Sequence, residues 1–321
     1  MSEPLELFRS LIGWVESGSC CALCTVVNTR GSTPQTAGAM MLLRPDGATL
    51  GTIGGGCVEA EVIRRALALL QADSSALLAL SLDHDYGWDD GLICGGRLEV
   101  AVVSLSETSQ LEPFREAAGR ILRQEPAQVA LRVQHEGKTL EYRLNLEPVP
   151  TLLIAGAGHV GAALAKLAGG LGFRVVVIDD RAELLGPERL PPPIEPAAGD
   201  VAAVLRNWPI DANTYVVVVT RGHRRDEQAL HAVIDSPAKY VGMIGSRRKI
   251  AIVFDDLESL GVPRAKLQRV HTPIGLAIGA VSVPEIAVSI AAELIQVRRA
   301  AGFKAVEGPF ELDQPGRVSG Y

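Results

Sequence analysis

Between residues 150 and 250 the hydrophobic positions come in short, almost unbroken blocks: TLLIAG, RVVVIDD, YVVVVT and YVGMIG. The stretches between them repeat their apolar residues every three or four positions. Val/Ile blocks without polar alternation are strands buried on both faces, so this order predicts a mainly parallel sheet with helices on either side. The first third of the chain reads differently. Residues 3–17 have a helical period, and SCCALCTVVNTR (19–30) is a strand that ends in the turn signal of Arg30, Gly31, Ser32, Thr33 and Pro34. AGAMMLLR and ATLGTI form a hairpin across Pro45, Asp46 and Gly47. A helix running to about Gln71, a strand near 76–83, a polar turn and the strand CGGRLEVAVVSL follow.

These patterns predict a mixed α+β domain over 1–110. A connecting helix and a hairpin, LRVQHEG and KTLEYRL, occupy 111–150 and close at Pro148, Val149 and Pro150. The parallel-sheet domain covers 151–300, and 301–321 reads as a poorly ordered tail. LLGPERLPPPIEPAAGD is too rich in proline for an element and reads as a loop. In the last helix, 284–300, Ile286, Ile290, Leu294 and Val297 share one stripe, and two arginines lie near the negative pole.

Composition narrows the functional classes. The 321 residues are 47% hydrophobic and 21% charged with a net charge of -6, the balance of a folded chain with sizeable cores. An acidic chain is a poor general surface for nucleic acid or membrane. The amino-terminal segment lacks the basic, apolar and small-residue blocks of a leader, and no apolar run is long enough to span a bilayer, so a cytoplasmic location is expected. The five cysteines form no disulfide framework and are expected as thiols. Cys21 and Cys24 have C-x-x-C spacing, but residues three apart on a strand point to opposite faces, which removes the redox and zinc readings.

Candidate chemistry gathers at five places. Gly156, Gly158 and Gly161 form G-x-G-x-x-G between a strand and a helix, and Asp179 ends the next strand. That context predicts a Rossmann-like domain whose loop amides face phosphates, with Asp179 or Asp180 on a ribose. Two further strand ends carry Arg221, His223, Arg224 and Arg225, and Arg247, Arg248 and Lys249. Guanidinium forks there suit an anionic ligand, while the alternative is helix-start charge balanced by Asp226 and Glu227, with His223 in a structural hydrogen bond. Gly54, Gly55 and Gly56 precede Cys57 at a helix start with Glu59 in its first turn, and Cys94 precedes Gly95 and Gly96. A helix N-terminus is where thiolates become accessible, and glycines admit a close ligand. HDYGWDD (84–90) reads as an exposed turn.

With these residues assembled, the chain resembles the XdhC/CoxI family, the accessory proteins of xanthine dehydrogenase and related molybdenum hydroxylases. The resemblance covers most of residues 5–300. It rests on GSTPQTAGAMM, GTIGGGCVEAEV and GLICGGRLEV in the first domain. In the second it rests on AGAGHVGAALAKLA, VVVIDDRAE, TRGHRRDEQAL, YVGMIGSRRK and HTPIGLAIGAVSVPEIAVSIAAELI. Ala277 and Val283 depart from the family pattern.

The resemblance implies a chaperone that binds molybdenum cofactor (molybdopterin), supports its sulfuration by a cysteine desulfurase and delivers it to an apo molybdenum hydroxylase. Cys57, and with it Cys94, would meet the metal or its sulfur, and Glu59 would orient the site. The Gly156 loop with His159, Asp179 and the Arg221, His223, Arg247 and Arg248 loops would hold phosphates or a dinucleotide. A homodimer follows by analogy. Two other readings stay open: an NAD(P)-dependent oxidoreductase using Asp179 on the ribose and His223 as acid or base, and a nucleotide-sensing scaffold.

Overall fold

The structure is a computed structural model that describes residues 3–82, 96–300 and 302–312. Cys94, Gly95 and the HDYGWDD turn lie outside the described residues. Two compact units divide the chain, one of Met1–Pro148 with Lys304–Tyr321 and one of Val149–Phe303.

The first unit runs α1 (Glu3–Glu16), β1 (Cys21–Arg30), β2 (Met40–Leu43), β3 (Thr49–Gly51), α2 (Gly56–Gln71), β4 (Ala76–Ser81), β5 (Arg97–Leu105), α3 (Glu112–Leu122), β6 (Ala127–His135) and β7 (Lys138–Leu146). The second runs β8 (Thr151–Ala155), α4 (His159–Gly170), β9 (Arg174–Asp179), β10 (Glu195–Ala198), α5 (Val201–Asn207), β11 (Thr214–Val218), α6 (His223–Val233), β12 (Tyr240–Met243), α7 (Arg247–Ser259), α8 (Arg264–Leu267) and α9 (Val283–Ala300). The chain then returns to the first unit as β13 (Val306–Leu312).

Among the described residues the first unit is an eight-stranded sheet in the order β13-β7-β6-β4-β5-β1-β2-β3. Its strands pair antiparallel except at the single β4–β6 step. One face packs on α1 and α3 through Leu7, Phe8, Leu11, Phe114 and Ile121. The other packs on α2 through Val58, Val62, Ala66 and Leu70, which recur every fourth residue and so form one stripe. Cys21 belongs to the first core and Cys24 to the second. The two thiols therefore face away from each other, and burial pushes both up to about 12.

Two expectations change here. The helix and hairpin of 111–146, expected as a connector, form α3, β6 and β7 of the same sheet. Their alternating burial, most regular in β6, belongs to a sheet with one face on α3. The expected tail contributes β13, whose Glu307 and Phe310 flank a register shift against β7.

The second unit holds a parallel sheet in the order β10-β9-β8-β11-β12. The strand order reverses between β8 and β11, where doubly wound sheets open a crevice at the strands' carboxyl ends. The proline-rich segment expected as a loop supplies β10, an edge strand. Pro196 is tolerated there because an edge strand leaves one side of its backbone unpaired. One core lies between the sheet and α4 with α9, the other between the sheet and α5, α6 and α7. The α9 stripe is as expected at Ile290 and Leu294, with Ile286 and Val297 partly buried beside them, and it widens to Ala287 and Ala291.

Candidate functional site

In the first unit three glycine-containing motifs fold onto one loop cluster. A Cβ at Gly54 would come within 2.7 Å of Pro34, and one at Gly96 would overlap the carbonyl oxygen of Ser32. The turn 31–36 is thereby clasped between the triple glycine and the last residue of the Cys94 motif. Gly55 and Gly56 adopt φ 70 and 61, a left-handed backbone that side chains rarely enter, and open space lies where their Cβ atoms would be. Gly55 is the N-cap of α2, with no side-chain cap bond. The first amides of the helix, from Gly56, Cys57 and Val58, have no partner among the described residues. Cys57 sits half-buried in this first turn.

Glu59 explains how the loop holds its shape. Its Oε2 accepts from Thr52 Oγ1 at 2.7 Å and from the amides of Gly55 and Ile53 at 3.1 and 3.2 Å, while Gly54 donates to Thr52 Oγ1 at 3.1 Å. A carboxylate that reaches back from the first turn to the N-cap amide satisfies a donor that the helix itself leaves open. The side chain read from the sequence as orienting the site therefore acts through the loop backbone.

In the second unit the glycine fingerprint has the form its spacing requires. A Cβ at Gly156 would strike the carbonyl oxygen of Val219, and one at Gly161 would overlap that of Gly156. Gly158 faces open space as the N-cap of α4. The amides of His159, Val160 and Gly161 have no partner among the described residues, and the His159 side chain is exposed.

Asp179 is 2% exposed and fully engaged. Its Oδ1 accepts from the amide and Nε of Arg181, and its Oδ2 from Arg181 and from the amide of Ala157 at 2.7 Å. Burial alone would raise this carboxyl, but the Arg181 guanidinium and the two amides outweigh it and hold it at about 2. Asp179 thus fixes the glycine loop, and its bonding capacity is filled before any ribose arrives. Arg189 Nε donates to the carbonyl of Ala157 at 3.1 Å, a second clamp on the loop. Sequence reading missed Arg181 and Arg189; only the D-x-R spacing hinted at the first.

The arginine loops divide. Arg225 pairs with Asp180, whose carboxyl this hydrogen bond lowers, and Arg221 lies 3.8 Å from the same carboxylate with its own side chain 57% exposed. His223, Arg224, Arg247 and Arg248 are exposed and have no ion pair or side-chain hydrogen bond among the described residues. Asp226 balances part of the helix-start charge, as the alternative reading had it, but from the interior. It is fully buried, accepts from Thr220 Oγ1 and the Thr220 amide, and pairs with Lys249. This ion pair ties the first turn of α6 to that of α7 and holds the two basic loops in register. The Gly156, Arg221 and Arg247 loops leave the carboxyl ends of β8, β11 and β12 in the same sheet. Cys57 with the triple glycine belongs to the other unit.

Residues 14–81 match the family described as XdhC and CoxI family, and residues 152–294 match the XdhC Rossmann domain. The chain is 31% identical over 298 residues to an uncharacterized Escherichia coli protein, YqeB, covering 92% of this chain but 47% of that protein's length. It is 25% identical to a probable xanthine dehydrogenase subunit of Bacillus subtilis, covering 86% of this chain and 93% of the relative. A third relative, the molybdenum cofactor insertion chaperone PaoD of Escherichia coli, is 24% identical, with 91% and 88% covered. A Bacillus halodurans crystal structure described as a xanthine dehydrogenase superposes with a TM-score of 0.79 at 23% identity, covering 94% of this chain and 97% of that one, which shows a shared fold.

Proposed function

The chain belongs to the XdhC and CoxI family, and on that footing we propose that it binds molybdenum cofactor as cargo, supports its sulfuration, and inserts it into a xanthine dehydrogenase-type molybdenum hydroxylase. The observation that carries this reading is the first turn of α2. There a partly exposed thiol, backbone amides without a partner among the described residues and the open space over Gly55 and Gly56 sit together. A soft thiolate suits a thiophilic metal or a transferable sulfur, and amides at a helix start suit the anionic groups around it. Glu59 keeps those amides pointed by bonding the loop behind them.

The names of two relatives lend support, since one is a cofactor insertion chaperone and the other belongs to a dehydrogenase. On this reading the Gly158 amides and the exposed guanidinium groups of Arg221, Arg247 and Arg248 give the second unit an anion site of its own, which suits the phosphate of a pterin or its nucleotide extension. The client enzyme and a cysteine desulfurase are the expected partners, and the chain is expected to work as a homodimer.

An NAD(P)-dependent oxidoreductase is favoured by the open Gly158 loop and disfavoured by Asp179, whose oxygens are already filled. Purification from a cofactor-producing host, followed by oxidative release and pterin fluorescence, decides between them. Stoichiometric pterin in the wild type and its loss in Cys57→Ala support the chaperone. Bound NAD(P) without pterin overturns it.

A further inference from the structure

The HTPIG segment carries an imidazole that none of the loops above uses. His271 runs beside the edge of the parallel sheet, bridged to Gly242 of β12, with its backbone bonded to Val241 and Met243. Its Nδ1 lies 3.0 Å from Oε1 of Glu293 on α9. The other oxygen of Glu293 accepts from the Tyr240 hydroxyl at 2.6 Å and from the amide of Gly275 at 2.7 Å. An ionised carboxylate only accepts, so the proton of the neutral ring sits on Nδ1 and the lone pair on Nε2. The His271 side chain is 36% exposed and Glu293 is 12% exposed. Nε2 has no partner among the described residues.

The surroundings are built to keep the ring still. It lies 4.4 Å from the Tyr240 ring, which stacks on Tyr215. A Cβ at Gly242 would collide with the Tyr240 hydroxyl, so glycine there keeps that hydroxyl on Glu293. Burying a carboxylate costs several kcal/mol unless its oxygens are satisfied, and an apolar contact would hold α9 to the sheet without that cost. Such an arrangement directs one imidazole nitrogen outward, as a carboxylate does for a working histidine.

Strand spacing says which part of a ligand it meets. His271 extends the order β8-β11-β12 by one more position, three spacings or about 14 Å from the glycine loop. Phosphates held at Gly158 leave the other half of an extended ligand to lie over β11 and β12. We propose that His271 contacts that half, its Nε2 accepting a hydrogen bond from a ring N–H or amine of a bound heterocycle, with Glu293 as the positioning residue. This rests on the cofactor-binding reading and names the residue that recognises the ring. The titratable groups facing His271 are Glu293 from α9 and Tyr240 from β12.

Two measurements on the full chain test it. Histidine-selective ¹⁵N labelling, with His271→Gln identifying the signal, should show the Nδ1–H tautomer in the free protein and a shift of Nε2 on adding 6-hydroxymethylpterin. Affinity for that pterin should fall about tenfold in His271→Ala. His271→Gln keeps an acceptor, so it should bind within about threefold of wild type. An Nε2–H tautomer overturns the inference. So does wild-type affinity in His271→Ala, or a chain that carries pterin on purification yet ignores 6-hydroxymethylpterin. A chain purified free of pterin overturns the functional reading instead, and with it the ligand class assigned here.

Discussion

Cys57 and Glu59 stand two positions apart in one helical turn, yet their roles separate cleanly. Glu59 is occupied by the loop behind it, whereas Cys57 is bonded to nothing among the described residues. Glu59→Ala should therefore destabilise the first unit by about 1–2 kcal/mol, the worth of a lost cap, read from denaturant midpoints. Cys57→Ala should leave the midpoint within about 0.5 kcal/mol and remove the bound pterin. From sequence both looked like site residues. Nothing in the spacing told that one carboxylate would turn back to its own N-cap, because that depends on a left-handed backbone at Gly55.

Asp179 shows the same limit. An acid at the end of the second strand carries a standard expectation, but Arg181 two residues on claims it. Its folded value lies below the ordinary one, so the stability it contributes, about 2 kcal/mol, is present above pH 4 and is lost as pH falls toward 2. Arg181→Met should abolish that part of the acid-unfolding profile.

At the scale of elements, the parallel strands were legible because burial on both faces leaves unbroken Val/Ile blocks. The glycine fingerprint was legible because its spacing is set within one strand–turn–helix unit, where Gly161 packs on the carbonyl of Gly156, although the neighbour that demands glycine at 156 is Val219, just past the end of β11. β10 was hidden by Pro196 and the prolines just before it; a strand of this sheet tolerates Pro196 because it is at an edge, and edge position is a property of the finished sheet. β6 and β7 were read correctly as a hairpin, but their partners lie far away in the chain. Local pattern cannot supply those.

The register of α6 against α7 hangs on the buried pair of Asp226 and Lys249. Lys249→Met strands a carboxylate and should cost about 3 kcal/mol in the second unit. The double variant with Asp226→Asn should regain most of it, as a denaturation cycle would show. Phosphate contacts that rely on both basic loops should weaken in the single variant and recover in the double.

Over the whole molecule, two units with cores of similar extent predict two unfolding transitions. Among the described residues no helix is long and apolar enough to cross a membrane. One of the two edge strands of the first unit, β13, comes after the entire second unit in the chain. Ending the chain at Phe303 should lower the midpoint of the first unit only. It should also promote association, because β7 becomes an open edge; calorimetry and light scattering measure the two effects. The ordering also matters for biogenesis. A ribosome emits the nucleotide-type fold whole while its companion still lacks a border, so the α2 thiol emerges hundreds of residues ahead of the segment that completes its own sheet. Quality control then has a simple cue, since any product that stops short of β13 exposes a β ladder ready to be captured.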